Sequence, residues 1–220
     1  MATEPLGKLL FSDGALQVTR VPKVDARKAA SDALCAYLAG LEFVRWGGDG
    51  EDVTFQIPAE RINSAWPDPQ TLQQYPSVTV LDLDDVAEDD FNFVPEALVE
   101  TFDEDRCTVL WKTAEVVTTF QVDFWADHEP LREAIAARLP AAFAPTDGRY
   151  GIVVSTGEEF FGVPVTLTLI SMQRADEAGA VYANERRLMV RIRAELADVH
   201  ERRAVPASVQ LRTLVEDPSG

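Results

Sequence analysis

Three stretches of strict alternation constrain this chain more than anything else in it. Val116, Thr118, Phe120, Val122 and Phe124 interleave with Val117, Thr119, Gln121, Asp123 and Trp125. Val163, Val165, Leu167 and Leu169 repeat the pattern. Leu188, Val190, Ile192, Ala194 and Leu196 repeat it again, with Arg187, Met189, Arg191, Arg193 and Glu195 between them. A period of two places alternate side chains on opposite faces of a strand, so each segment predicts one buried face. The last segment predicts an aliphatic face backed by a charged one. A compact sheet of this kind, with one short helix between its strands, reads as a scaffold for packing against other subunits rather than as an active site.

Helices are signalled at two places. Asp25 can cap a helix over residues 25–39, with Ala30, Leu34, Tyr37 and Leu38 as its apolar stripe and Gly40 as its stop. Asp127 is the expected cap of a second helix over 130–143, where Pro130 suits the first turn and Leu131, Ile135 and Leu139 share a face. Pro140 is expected to end or bend it. Extended segments at 42–46 and 53–57 flank Gly47, Gly48, Asp49 and Gly50 and predict a hairpin. A short edge strand is expected over 16–21, a rigid loop at Trp66-Pro67-Asp68-Pro69, a strand over 77–83, and a long strand over about 109–125. Phe160-Phe161-Gly162 is expected to open the next strand, and 175–184 to form a protruding loop.

The resulting fold class is α+β: a mainly antiparallel sheet, two helices packed on it, and a long acidic irregular insertion. Residues 1–24 form an N-terminal arm, 25–108 the helix, hairpin and acidic region, and 109–220 the compact core, the last two making a single domain. The core should contain Phe120, Val122, Phe124, Leu131, Ile135, Leu139, Val165, Leu167, Leu169, Leu188, Val190 and Ile192.

Charge narrows the function. Thirty-seven acids against 20 Lys and Arg give a formal net charge of −17 over 220 residues. Phosphate binding needs the opposite balance, and so does adsorption to an anionic bilayer. The opening MATEPLGKLLFSDG has no basic segment followed by an apolar core, so no secretion signal is expected. Cys35 and Cys107 are expected as reduced thiols. The acids Asp82, Asp84, Asp85, Glu88, Asp89, Asp90, Glu96, Glu100, Asp103, Glu104 and Asp105 run without an intervening Lys or Arg. Val86 and Ala87 stand where a calcium loop would need an oxygen ligand and a glycine, so a dedicated cation site is not expected. His128 and His200 lack metal-ligand spacing, the glycine cluster lacks the lysine of a phosphate loop, and no nucleophile elbow occurs. No catalytic residue, metal or cofactor is assigned, and the expectation is a protein that is not an enzyme.

Arg186, Arg187, Arg191, Arg193, Arg202 and Arg203 concentrate the cations near the C-terminus, away from the acidic run. Two readings stay open. One is a solvated strand face. The other is a subunit interface in which Arg187, Arg191 and Arg193 meet Asp84, Asp85, Asp89 and Asp90 of a neighbouring copy, as suits a head-to-tail ring.

Gln121-Val122-Asp123-Phe124-Trp125-Ala126, the helix Leu131-Arg132-Glu133-Ala134-Ile135, then Phe160-Phe161-Gly162-Val163-Pro164-Val165-Thr166-Leu167 and the run from Arg187 to Glu195 resemble neck and tail-terminator proteins of tailed bacteriophages. The resemblance covers residues 109–196. It implies an extended strand, a helix over the sheet and a closing pair of long strands. It further implies a virion structural protein, a hexameric ring at the head-proximal end of the tail that partners its own copies, the tail tube and the connector, and touches double-stranded DNA only in passing. Assembly would take place in the host cytoplasm. A tail tube or baseplate subunit is the alternative within that class. An acidic DNA-mimic inhibitor is the alternative outside it, opposed by Phe91, Phe93 and Phe102 within the acidic run.

Overall fold

The computed structural model describes residues 17–47, 51–64, 74–83, 88–90, 97–103, 106–144, 151–176 and 186–204. In chain order these contain β1 (Gln17–Arg20), α1 (Ala26–Ala39), β2 (Glu42–Trp46), β3 (Asp52–Gln56), β4 (Ile62–Asn63), β5 (Ser77–Asp82), β6 (Glu88–Asp90) and β7 (Ala97–Asp103). β8 (Arg106–Ala126), α2 (Glu129–Ala142), β9 (Ile152–Ser155), β10 (Pro164–Arg174) and β11 (Arg186–Ala204) complete the order. The chain divides into two compact units: Pro22–Val94 with Thr113–Asp198, and Met1–Val21 with Pro95–Lys112 and Val199–Gly220.

The larger unit is built on strands in the order β4-β5-β8-β11-β10-β9, with β6 added along β8. β5–β8, β6–β8, β9–β10 and β10–β11 are antiparallel, and the two-residue β4 runs parallel to its neighbour β5. The α+β class and the mainly antiparallel sheet expected from the alternation are what the chain adopts.

Register assigns the faces. Val78 pairs with Phe124 and Val80 with Val122, while Ser77 pairs with Trp125 and Thr79 with Asp123. The first set lies on one side of the sheet and the second on the other. Arg187 reaches Asp123 across the sheet, so Leu188, Val190 and Ile192 share the side of Phe124. Both helices lie there. Arg174, which pairs with Leu188, donates to Glu133 of α2, and Tyr37 of α1 packs edge-on against Phe143 with centroids 5.4 Å apart. Beneath them Phe120, Val122, Phe124, Leu34, Leu38, Ile135, Leu139, Leu188, Val190 and Ile192 are buried.

α1 starts as local chemistry dictates. Asp25 Oδ1 accepts from Lys28 N at 2.7 Å, satisfying one of the free first-turn donors. The buried stripe of α1 is mostly alanine (Ala26, Ala29, Ala30, Ala33), which lets its backbone approach the strands closely. α2 departs from expectation at its cap. His128, not Asp127, is the N-cap residue and makes no side-chain cap bond, because the Asp127 carboxylate pairs with the His128 ring instead. The helix also passes through Pro140 and stops at Phe143, whose N–H bonds Leu139 O at 3.0 Å. A proline two residues from the end of a helix forfeits only one backbone bond.

Three further expectations are corrected. Leu169 is half-buried rather than core. The register of β10 on β11 slips between Leu169 and Ser171, so Ile170 is an inserted residue and the alternation ends there. Phe160-Phe161-Gly162 does not open the strand. It closes a single helical turn (Glu158–Phe160), buries Phe160, and puts Phe161 in the left-handed region at φ 58°. That conformation costs a non-glycine residue on the order of 1 kcal/mol, offset here by the buried Phe160 ring. Finally, the acidic run is not all loop. Glu88–Asp90 and Ala97–Asp103 are strands paired with β8, because β8, at 21 residues, is long enough to serve both. Asp84, Asp85, Phe91, Phe93 and the Trp66-Pro67-Asp68-Pro69 segment lie outside the described residues, as does most of 175–184.

β2 and β3 form a separate two-stranded sheet packed on α2. Phe43 is buried and stacks on Phe55, with centroids 5.4 Å apart, while Arg138 Nε donates to Glu42 O at 3.2 Å. Gly47 closes the strands, and a Cβ there would lie 2.2 Å from Glu51 O, so no other residue fits without moving the backbone.

In the smaller unit, β7 pairs with the first residues of β8 and β1 with the last residues of β11. Arg202 lies over the Trp111 ring, 5.0 Å from its centroid.

Candidate functional site

The sheet face away from the helices carries most of this chain's unusual chemistry. Ser77, Thr79, Thr119, Asp123 and Arg187 are all buried on it, Asp123 completely. A buried carboxylate is tolerated only with a partner and hydrogen bonds. Arg187 supplies both: its Nε donates to Asp123 Oδ1 at 3.1 Å and its Nη2 to Oδ2 at 2.9 Å, a two-point fork. The same guanidinium lies 5.1 Å from the Trp125 centroid. Arg187 was expected to point outward into a subunit contact. It is committed within its own chain, because Asp123 on the neighbouring strand needs a counter-charge.

A second ionic cluster fastens the β10–β11 hairpin to α2. Arg132 is buried, and its Nη1 donates to both oxygens of Asp176, at 2.6 and 2.7 Å. Asp176 Oδ1 also accepts from Arg187 N at 3.3 Å. Glu133 accepts from Arg132 Nε at 3.1 Å and from Arg174 Nε at 2.9 Å. The fork with Arg174, joined by Arg132, pulls the Glu133 carboxyl down to about 2 against the opposing effect of burial. The bonds from Arg132 hold Asp176 below its ordinary value as well. Burial disfavours the charge of Arg132, but Asp176 and Glu133 outweigh it and raise its pKa. Burial, reinforced by Asp32, pushes the Cys35 thiol up, the opposite of an activated nucleophile.

Arg191 and Arg193 remain exposed on the same sheet face as Arg187. Arg193 Nε lies 3.0 Å from Glu195 Oε1, a contact in which both side chains are partly exposed. Arg203 pairs with Glu201 at 3.5 Å. Asp89 and Asp90 sit on β6 opposite Val116 and Glu115. Asp84 and Asp85 lie outside the described residues, so the two halves of the expected interface are not seen together.

A groove of about 610 Å³ opens at the start of α1, lined by Lys23, Asp25, Arg27, Val116 and Asp198 among others. Its polar groups are already engaged: Asp25 caps the helix, Lys23 pairs with Glu159, and Asp198 accepts from Thr113 Oγ1 at 3.0 Å. Among the described residues no group of three or more His, Cys, Asp or Glu is placed to hold a metal ion, and no helix is long and apolar enough to cross a membrane.

Alternation puts Asp123 on the second face of its strand, with Gln121 and Trp125, and gives no sign that it is buried. Its partner is 64 positions away. The exposed hairpin residue Trp46 gave no signal at all, since an aromatic residue in a strand ordinarily suggests core.

No family model matches the chain, and no curated protein matches it. Among solved structures it is similar to a chain of a particle described as the virion of native gene transfer agent (GTA), with a TM-score of 0.31 and 14% identity over 63% of this chain and 80% of that one. A likeness of that size carries no argument about role.

Proposed function

We propose that this protein is a structural subunit of a tailed-phage virion, a tail terminator or neck subunit that forms a ring between the connector and the tail. The observation that supports this reading is the order of elements over residues 106–204. A 21-residue strand leads into the 14-residue α2, then through the four-residue β9 into a hairpin of 11- and 19-residue strands. That is the order implied by the resemblance in sequence. The role is mechanical and needs no catalytic group. Its partners are further copies of itself, the tail tube and the connector.

Two physical features fit a ring around DNA. A net charge of −17 repels phosphate, so a duct of such subunits lets DNA slide without holding it. The exposed Arg191 and Arg193 supply a local basic patch on an acidic molecule, suited to the carboxylates of a neighbouring copy, among which Asp84, Asp85, Asp89 and Asp90 are candidates. Exposed ion pairs contribute only about 0–1 kcal/mol each, so they set register and leave most of the affinity to apolar contact.

The test is the protein content of purified particles. The chain should co-purify at a fixed ratio to the tail-tube protein. Its absence from washed, intact particles would overturn the reading and favour an acidic inhibitor of a DNA-binding enzyme.

A further inference from the structure

Resting on the ring reading, we infer which surface receives the basic face: the outer side of the β2–β3 hairpin of a second copy, centred on Trp46. Trp46 is 85% exposed and Val44 44%. Register places both on one side of the hairpin, with Glu42, Asp52 and Thr54 beside them. An indole left this bare beside two carboxylates matches a surface that offers apolar area and cations. Such a surface exists in the same unit. Thr168 pairs with Arg193, and the bulge sets both Ile170 and Ser171 opposite Arg191, so Ile170, Arg191 and Arg193 form one exposed strip. Ile170 is 52% exposed.

The chain already shows how its arginines use tryptophan. Arg187 lies over Trp125 and Arg202 over Trp111, at 5.1 and 5.0 Å. Trp46 is the third described tryptophan, and Arg191 and Arg193 can cover it while their forks take Asp52 and Glu42. One copy cannot satisfy itself. The hairpin packs on α2, on the helix-covered side of the sheet, whereas Arg191 and Arg193 lie on the opposite side. Two complementary surfaces on opposite sides of one unit define a heterologous contact, which closes into a ring or extends head to tail. Tryptophan and arginine are also the residues that most often dominate the energy of an interface.

Sedimentation velocity of the full chain tests this at the highest soluble concentration. The natural sequence should form an oligomer. Trp46→Ser should abolish it, and so should Arg191→Glu with Arg193→Glu. An equimolar mixture of the two variants should give a heterodimer and nothing larger, since it retains one intact hairpin against one intact basic face. Val44→Lys, with unchanged thermal unfolding, repeats the hairpin arm at a second position. A natural chain that stays monomeric, a mixture that stays monomeric, or a Trp46→Ser protein that assembles normally would each overturn the inference. Loss of assembly on Asp89→Ser with Asp90→Ser, but not on Trp46→Ser, would give the contact to β6 instead. Particles that contain the chain but incorporate the hairpin variants normally would sink this contact and leave the ring reading standing.

Discussion

The two faces of the larger unit's sheet each have a buried part, sealed by opposite means. Under the helices, Phe120, Val122, Phe124, Leu188, Val190 and Ile192 are sealed by shape and apolar area. On the far side, the same strands bury Asp123 and Arg187, held by a two-point fork and the face of Trp125. Apolar packing is strong but tolerant: a slid strand would still find aliphatic neighbours. A buried ion pair is weak in net stability, yet intolerant of any register but its own. A slip of one residue would turn Asp123 into the aromatic layer and Phe124 out of it. The apolar face therefore supplies stability, and the polar face fixes the pairing of β8 with β11 on which the exposed arginines depend.

The largest effects should come from breaking each face separately. Phe124→Ala removes a buried ring and should cost about 3–5 kcal/mol in urea unfolding. Asp123→Ala should cost a comparable ~3–5 kcal/mol, because it strands the Arg187 charge in the interior. The distinction lies in the rescue. Asp123→Leu combined with Arg187→Met should recover most of the loss, to within ~1 kcal/mol of the natural chain, whereas no single second change repairs Phe124→Ala. Additive costs at Asp123 and Arg187 would mean that the two residues do not act as a pair.

A smaller effect is expected at the cap of α1. Asp25→Ala frees the Lys28 N–H and should cost about 1 kcal/mol, read as a shift in urea midpoint without a change in slope.

The smallest effect tests the ionic cluster through pH. The carboxyl of Glu133 titrates at about 2 in the fold against 4.5 ordinarily, so its contribution is present above pH 4.5 and fades as pH falls toward 2. Its side chain is 37% exposed, and Arg174 stands mostly in solvent, so screening keeps that contribution below about 1 kcal/mol. Glu133→Gln should accordingly be slightly less stable than the natural chain at pH 7 and indistinguishable from it at pH 2. A gap that widens on acidification would show the sign to be wrong.

How far these faces were legible depends on the range of the interaction that makes them. The stripe from Leu188 to Leu196, the Asp25 cap and the hairpin at Gly47 are local signals, and the chain follows them. The bulge at Ile170 is fixed by the partner strand, so alternation overran it to Leu169. Asp123 and Arg187 are 64 positions apart, and each looked outward-facing when read alone. The acidic run was masked by its own composition, since Asp and Glu disfavour strands and only a long β8 makes pairing worthwhile. Asp127 lost the cap of α2 to its neighbour because the His128 ring offered it a partner. Trp46 was invisible because a strand aromatic gives no hint of its exposure.

The most direct test of the role proposed for this molecule is where it sits. Purified particles carrying a gold-labelled copy, imaged by electron microscopy, should show label at the junction of head and tail. Label at the distal tip would contradict the neck assignment and point to the baseplate. Label nowhere on the particle would contradict a structural role altogether.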